Sequence, residues 1–117
     1  MAKLIRVWNG TAWEQVGTSA SLPTAFNVII AGNTTLEAGK RYFTDTSVAR
    51  TLTLPSSASA GDTIEVYDST GTAGTNNITI ARNGGKINGL TEDAIIDVDQ
   101  SISILVYTGA TLGWRFE

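Results

Sequence analysis

The chain has 117 residues, of which 42% are hydrophobic and 16% charged, and 8 basic against 11 acidic side chains leave a formal net charge of -3. This balance belongs to one folded domain with a core, and it lacks the basic footprint that phosphate-backbone binding requires, so nucleic acid is not an expected partner. With no cysteine and no histidine, disulfides, thiolate nucleophiles, imidazole bases and the commonest transition-metal ligands are excluded together.

Twelve glycines, two prolines and an abundance of Thr, Val and Ile favour short strands joined by tight turns. The expected fold is all-β: a compact antiparallel sandwich or prism-like domain of short strands over 23–117, preceded by an N-terminal β-hairpin arm and linker over 1–22. Asn9-Gly10 lies between Lys3–Trp8 and Thr11–Val16, and Asn-Gly tolerates the positive φ of a two-residue type I′ turn. That turn predicts Trp8 opposite Thr11 and Arg6 opposite Trp13, with Arg6, Trp8 and Trp13 on one flat face. An isolated hairpin is marginal in water, so this one packs either on the rest of the chain or on another subunit; the linker composition of residues 17–24 favours a docking arm, with these three residues as its candidate docking surface.

Further strands are predicted at Phe26–Ala31, Thr34–Leu36 and Lys40–Asp45, separated by Gly32-Asn33 and by Glu37-Ala38-Gly39. Leu52 and Leu54 alternate with threonines until Pro55 removes a donor. Ile64 and Val66 point one way and Glu65 and Tyr67 the other. Ile78–Ala81, Ala94–Val98, Ser101–Tyr107 and Leu112–Phe116 complete the series. The side chains expected inside are Leu52, Leu54, Ile64, Val66, Ile78, Ile80, Ile102, Ile104, Val106, Trp114 and Phe116.

Catalysis finds little to work with. Without histidine an activated serine would need Lys3, Lys40 or Lys86 as its base, and no Ser-x-x-Lys pattern occurs. Glu92 with Asp93, and Asp97 with Asp99, are the closest acidic pairs, the latter sharing a side if that segment is extended, yet no calcium-loop pattern surrounds them. Gly71–Gly74 and Asn83-Gly84-Gly85 fit turns, not a phosphate cradle. The expectation is a non-enzyme with no metal and no cofactor. Tyr42, Tyr67 and Tyr107, if exposed, could stack on sugar rings, and the polar loops bearing Thr70, Thr72, Thr75 and Thr91, Glu92, Asp93 are candidate receptor contacts. No run approaches the roughly 18 apolar residues of a membrane span, and no signal-peptide core is present, so synthesis in a cytoplasm is expected.

The ordered blocks Arg50–Pro55, Ala60–Asp68 and Asn76–Gly89, closing with Leu105-Val106-Tyr107 and Gly113-Trp114, resemble a β-rich domain of tail-fibre, spike and other surface proteins of tailed phages, notably marine and cyanobacterial ones. The likeness spans about residues 26–117. It implies a non-enzymatic, commonly trimeric module on the virion surface, made in the bacterial host cytoplasm. Standing behind one hairpin and not at the end of a long fibre, the module suits a capsid decoration protein docked on other virion proteins such as the major capsid protein, or alternatively a fibre module that binds a host receptor or surface glycan. The family transfers no catalytic motif.

Overall fold

The computed structural model describes residues 26–117 and, as backbone pairing, the strands β1 (Ile5–Trp8) and β2 (Trp13–Val16). These two run antiparallel with Trp8 opposite Trp13 and Arg6 opposite Gln15. The register therefore differs from the two-residue turn read from Asn9-Gly10: four residues, not two, separate the paired strands. The face that the sequence analysis assigned to Arg6, Trp8 and Trp13, and the boundary of the arm, lie outside the described residues.

The fold is all-β. Nine further strands follow: β3 (Asn27–Ile30), β4 (Thr34–Thr35), β5 (Arg41–Thr44), β6 (Arg50–Thr53), β7 (Thr63–Asp68), β8 (Ile78–Ala81), β9 (Ala94–Ile96), β10 (Ile102–Tyr107) and β11 (Trp114–Phe116). They form a five-stranded sheet in the order β11-β10-β7-β5-β3 and a four-stranded sheet in the order β4-β6-β8-β9. From β3 to β8 the chain alternates between the sheets, so each return to a sheet arrives in the same direction as the last. Hence β3, β5 and β7 are parallel to one another, as are β4, β6 and β8.

An all-antiparallel domain was the expectation, and here it is corrected. Only β8/β9, β7/β10 and β10/β11 within this part pair antiparallel. Parallel neighbours need a crossover, and in this chain each crossover is itself a short strand of the opposite sheet.

Both sheets turn one face to a single hydrophobic cluster. Ile30, Tyr42, Ile64, Val66, Leu105 and Trp114 enter it from the larger sheet, and Leu52, Leu54, Ile78, Ile80 and Ile96 from the smaller sheet and its continuation. Period-two alternation dictates this arrangement for β5, β6, β7 and β8, whose buried residues occupy every second position. At the far end of the larger sheet, Gly113 adopts φ +71°, and a Cβ there would stand 2.2 Å from the Lys86 carbonyl oxygen. This close approach lets Trp114 N donate to Lys86 O at 2.9 Å and seats the indole in the core.

The exception to the expected core is β10. Ile102 is 60% exposed and Ile104 and Val106 are half-buried, whereas Leu105 is fully buried. The register explains the inversion: Leu105 lies opposite Ile64 and Ser103 opposite Val66, both of which point inward. Cross-strand partners share a face, so the triad Ile102, Ile104 and Val106 must look outward. Phe116 is only partly buried at the rim of the core, and Leu112 is exposed.

Truncation tests this orientation directly. Leu105→Ala should lower the unfolding free energy by about 2–5 kcal/mol, while Ile102→Ala should change it by no more than about 0.5 kcal/mol in the unassembled chain. Urea unfolding followed by tryptophan fluorescence distinguishes them, and equal losses would mean that β10 has the opposite face inside.

Candidate functional site

The outward face of the five-stranded sheet is built by the same alternation that fills the core. Because Tyr42 and Thr44 point inward from β5, Arg41 and Phe43 point outward; on β7 the outward residues are Thr63, Glu65 and Tyr67. Strand pairing aligns them with their neighbours in rows across the sheet. One row reads Ile29, Phe43, Tyr67, Ile102, and the next Asn27, Arg41, Glu65, Ile104.

The first row is apolar throughout. Ile29 at one end is 84% exposed, and at its middle the Phe43 and Tyr67 rings stack with centroids 4.5 Å apart. The second row is polar at its centre: Arg41 Nε donates to Asn27 Oδ1 at 2.9 Å, and the Arg41 guanidinium lies 5.0 Å from the centroid of the Phe26 ring. Tyr67 Oη donates to Glu65 Oε1 at 2.8 Å, linking the rows. Burial, then this bond to a carboxylate, raises the Tyr67 phenol above its ordinary pKa, so it remains a neutral donor. Val106, opposite both Thr63 and Arg115, extends the apolar area along β10. An apolar row on an outward sheet face, with Arg41 and Glu65 in the row beside it, has the character of an association surface.

The receptor-loop residues are dispersed. Thr70 and Thr72 lie in the β7–β8 crossover, where a carboxylate holds the chain in place. Asp68, almost wholly buried, accepts from Thr46 Oγ1 at 2.6 Å and from the backbone N–H groups of Gly71, Ala73 and Gln100, each at 2.9 Å. Thr72 Oγ1 donates to Thr46 O at 2.7 Å and Thr70 Oγ1 to Asp45 Oδ1 at 3.1 Å. These hydroxyls serve the loop itself. Thr75 is exposed.

Thr91, Glu92 and Asp93 are also exposed, but they precede Ala94, which pairs with Ile80, whereas the Thr70–Thr75 loop leads into Ile78, which pairs with Ile96. The two loops thus flank opposite ends of the β8/β9 pair and form no common site. Asp93 Oδ1 accepts from Arg82 N at 3.0 Å. The segment bearing Asp97 and Asp99 turns and is not extended, and Asp99 Oδ1 accepts from Gly74 N at 2.7 Å. Among the described residues no cluster of three or more acidic side chains is placed to hold a metal ion.

Of the tyrosines read as exposed, Tyr42 is buried, its hydroxyl accepting from Glu37 N at 2.7 Å. Tyr107 packs edge-on against Trp114 on the core side. Only Tyr67 lies on the outward face, and Phe43 takes one side of its ring. A cavity of about 330 Å³ opens between β9 and the β10/β11 pair, lined by Ala94, Ile96, Val98, Ser101, Ser103 and Phe116 among others. This lining supplies apolar surface and hydroxyls, and Asp97 is the carboxylate beside it.

The outward face escaped the sequence analysis because Ile102, Ile104 and Val106 carry the same alternation as a buried strand. A usable signal was present in the intervening residues: Leu105 and Tyr107 are themselves large and apolar, so β10 has two apolar faces and its pattern does not choose between them. Set beside known proteins, the chain matches no protein-family model and no curated sequence.

The Asp68 lock has a pH signature. Burial pushes its carboxyl upward, but the hydrogen bonds from Thr46, Ala73, Gln100 and Gly71 prevail and bring the pKa from 3.8 down to about 2. A depressed folded-state pKa stabilises above the unfolded value, and that contribution fades as pH falls from about 4 through about 2. Urea titrations at pH 7 and across this interval should show Asp68→Asn less stable than the parent at neutral pH, with the gap closing in acid. A gap independent of pH would remove the carboxylate from this role.

Proposed function

We propose that this protein is a non-enzymatic structural component of a tailed-phage virion, exposed on the particle surface, and that it acts as a capsid decoration protein. The observation that supports an assembly role is the outward face of the larger sheet, where Ile29, Phe43, Tyr67 and Ile102 run as one apolar row across four strands of a scaffold whose other face is the core. The phage resemblance of about residues 26–117 supplies the setting. In this reading the two sheets are the layers of a sandwich- or prism-like block, and the hairpin bearing Arg6, Trp8 and Trp13 is an arm that docks on a neighbouring virion protein such as the major capsid protein.

The mechanism is mass action. A surface that binds only the assembled shell stabilises that shell in proportion to its occupancy, and copies seated between capsomers tie them together. No proton transfer, metal or cofactor enters this mechanism.

The second reading is a tail- or head-fibre module that binds a host receptor or glycan. It draws on the exposure of Thr75, Thr91, Glu92 and Asp93. The dispersal of these residues to opposite ends of the β8/β9 pair and the use of Thr70 and Thr72 to tie their loop to Asp45 and Thr46 favour the structural role. Position on the particle separates the two readings. Antibody-labelled particles viewed by electron microscopy should carry many copies over the capsid; label confined to the tail or to fibre tips would replace decoration by receptor binding. Replacing Trp8 and Trp13 by Ala should abolish co-sedimentation with particles while the urea midpoint of the β domain stays unchanged, and retained binding would discard the arm.

A further inference from the structure

We infer that the outward face of the five-stranded sheet is covered by the same face of a second copy of this chain, the two related by a two-fold axis that runs parallel to the strands between β5 and β7. This deepens the assembly reading of the face by naming its partner. The order of residues across the sheet selects this partner. The apolar row reads Ile29 on β3, Phe43 on β5, Tyr67 on β7 and Ile102 on β10: isoleucine, aromatic, aromatic, isoleucine, a palindrome about the β5/β7 boundary.

An axis at that boundary maps β5 of one copy over β7 of the other and β3 over β10. It brings Ile29 onto Ile102 and Phe43 onto Tyr67, each contact made twice, as an isologous interface requires. The neighbouring row places Arg41 on β5 directly beside Glu65 on β7. The same operation carries each guanidinium over the partner copy's carboxylate, so cation and anion are matched across the interface. A register shifted by one strand loses both agreements, because Arg41 then faces its own counterpart or an apolar side chain. A partner of uniform charge is not selected by this face.

The order favours a pair over the trimer that the phage resemblance implies. A cyclic trimer joins two different patches on each subunit, whereas this row is complementary to itself. Sheets packed face to face lie about 10 Å apart, and an axis parallel to the strands keeps facing strands aligned, with Phe43 and Tyr67 nearest the axis. Strands of four to six residues at about 3.3 Å per residue and about 4.8 Å spacing give a contact face of roughly 20 by 15 Å. That is smaller than the roughly 800 Å² per partner of a standard interface, so a weak, reversible pair in the micromolar range or above is expected.

Sedimentation equilibrium of the full chain from about 1 to 500 μM, a range set to bracket that affinity, decides the matter. The expected result is a reversible rise from the 12.3 kDa chain mass to twice that value. Ile102→Glu, Arg41→Glu and Glu65→Arg should each weaken pairing at least about tenfold. An equimolar mixture of the Arg41→Glu and Glu65→Arg chains should regain it, because opposite charges then meet at both positions of the mixed pair. Circular dichroism confirms folding of each variant, and if Ile102→Glu fails to fold the two charge reversals still decide. A monomer at every concentration, a trimer, or a mixture no tighter than the single variants overturns the two-fold pair. A monomer that still decorates particles would overturn the pair alone and leave the proposed virion role standing.

Discussion

Every pass of the chain through this domain returns to one shared hydrophobic interior, and the rest of the structure follows from that constraint. Leu52, Leu54, Ile64, Val66, Ile78, Ile80 and Leu105 meet there from two sheets, each held inward by the two-residue repeat of an extended backbone. Neither sheet buries its apolar face without the other. The crossovers that carry the chain between them make β3, β5 and β7 parallel, and β9, β10 and β11 then close the sequence of strands by antiparallel pairing.

The connections add Leu36, Ala73 and Ile87 to the core and are ordered by polar groups as well. Asp68 gathers one hydroxyl and three backbone donors at the end of β7, replacing the water that those groups lose in the loop. A buried carboxylate is tolerable only when its acceptor capacity is met in this way. The consequence for function is that the Thr70–Thr72 stretch is structural, its hydroxyls committed to Asp45 and Thr46, and the surface left for recognition is elsewhere.

That surface is the second face of the larger sheet. A strand with large apolar residues on both sides, such as β10, is ordinary where both sides are covered. Among the described residues Leu105 is buried and Tyr107 packs against the core, whereas Ile102, Ile104 and Val106 face outward beside Phe43 and Tyr67. Free energy favours removing such a patch from water.

Much of this was legible in the residues themselves. Strand positions, the all-β class, the turn at Asn83-Gly84-Gly85 and the inward placement of Leu52, Leu54, Ile64, Val66, Ile78 and Ile80 follow from local alternation and turn chemistry, which depend on near neighbours only. The sequence by itself also determined that no histidine- or cysteine-based chemistry is open to the chain. What only the tertiary structure decided was the direction of pairing, the face of β10 that is buried and the alignment of Ile29, Phe43, Tyr67 and Ile102 in one row. Those depend on which strands become neighbours and in what register, and residues as far apart as 29 and 102 carry no local mark of the row that winding the chain between two sheets brings them into.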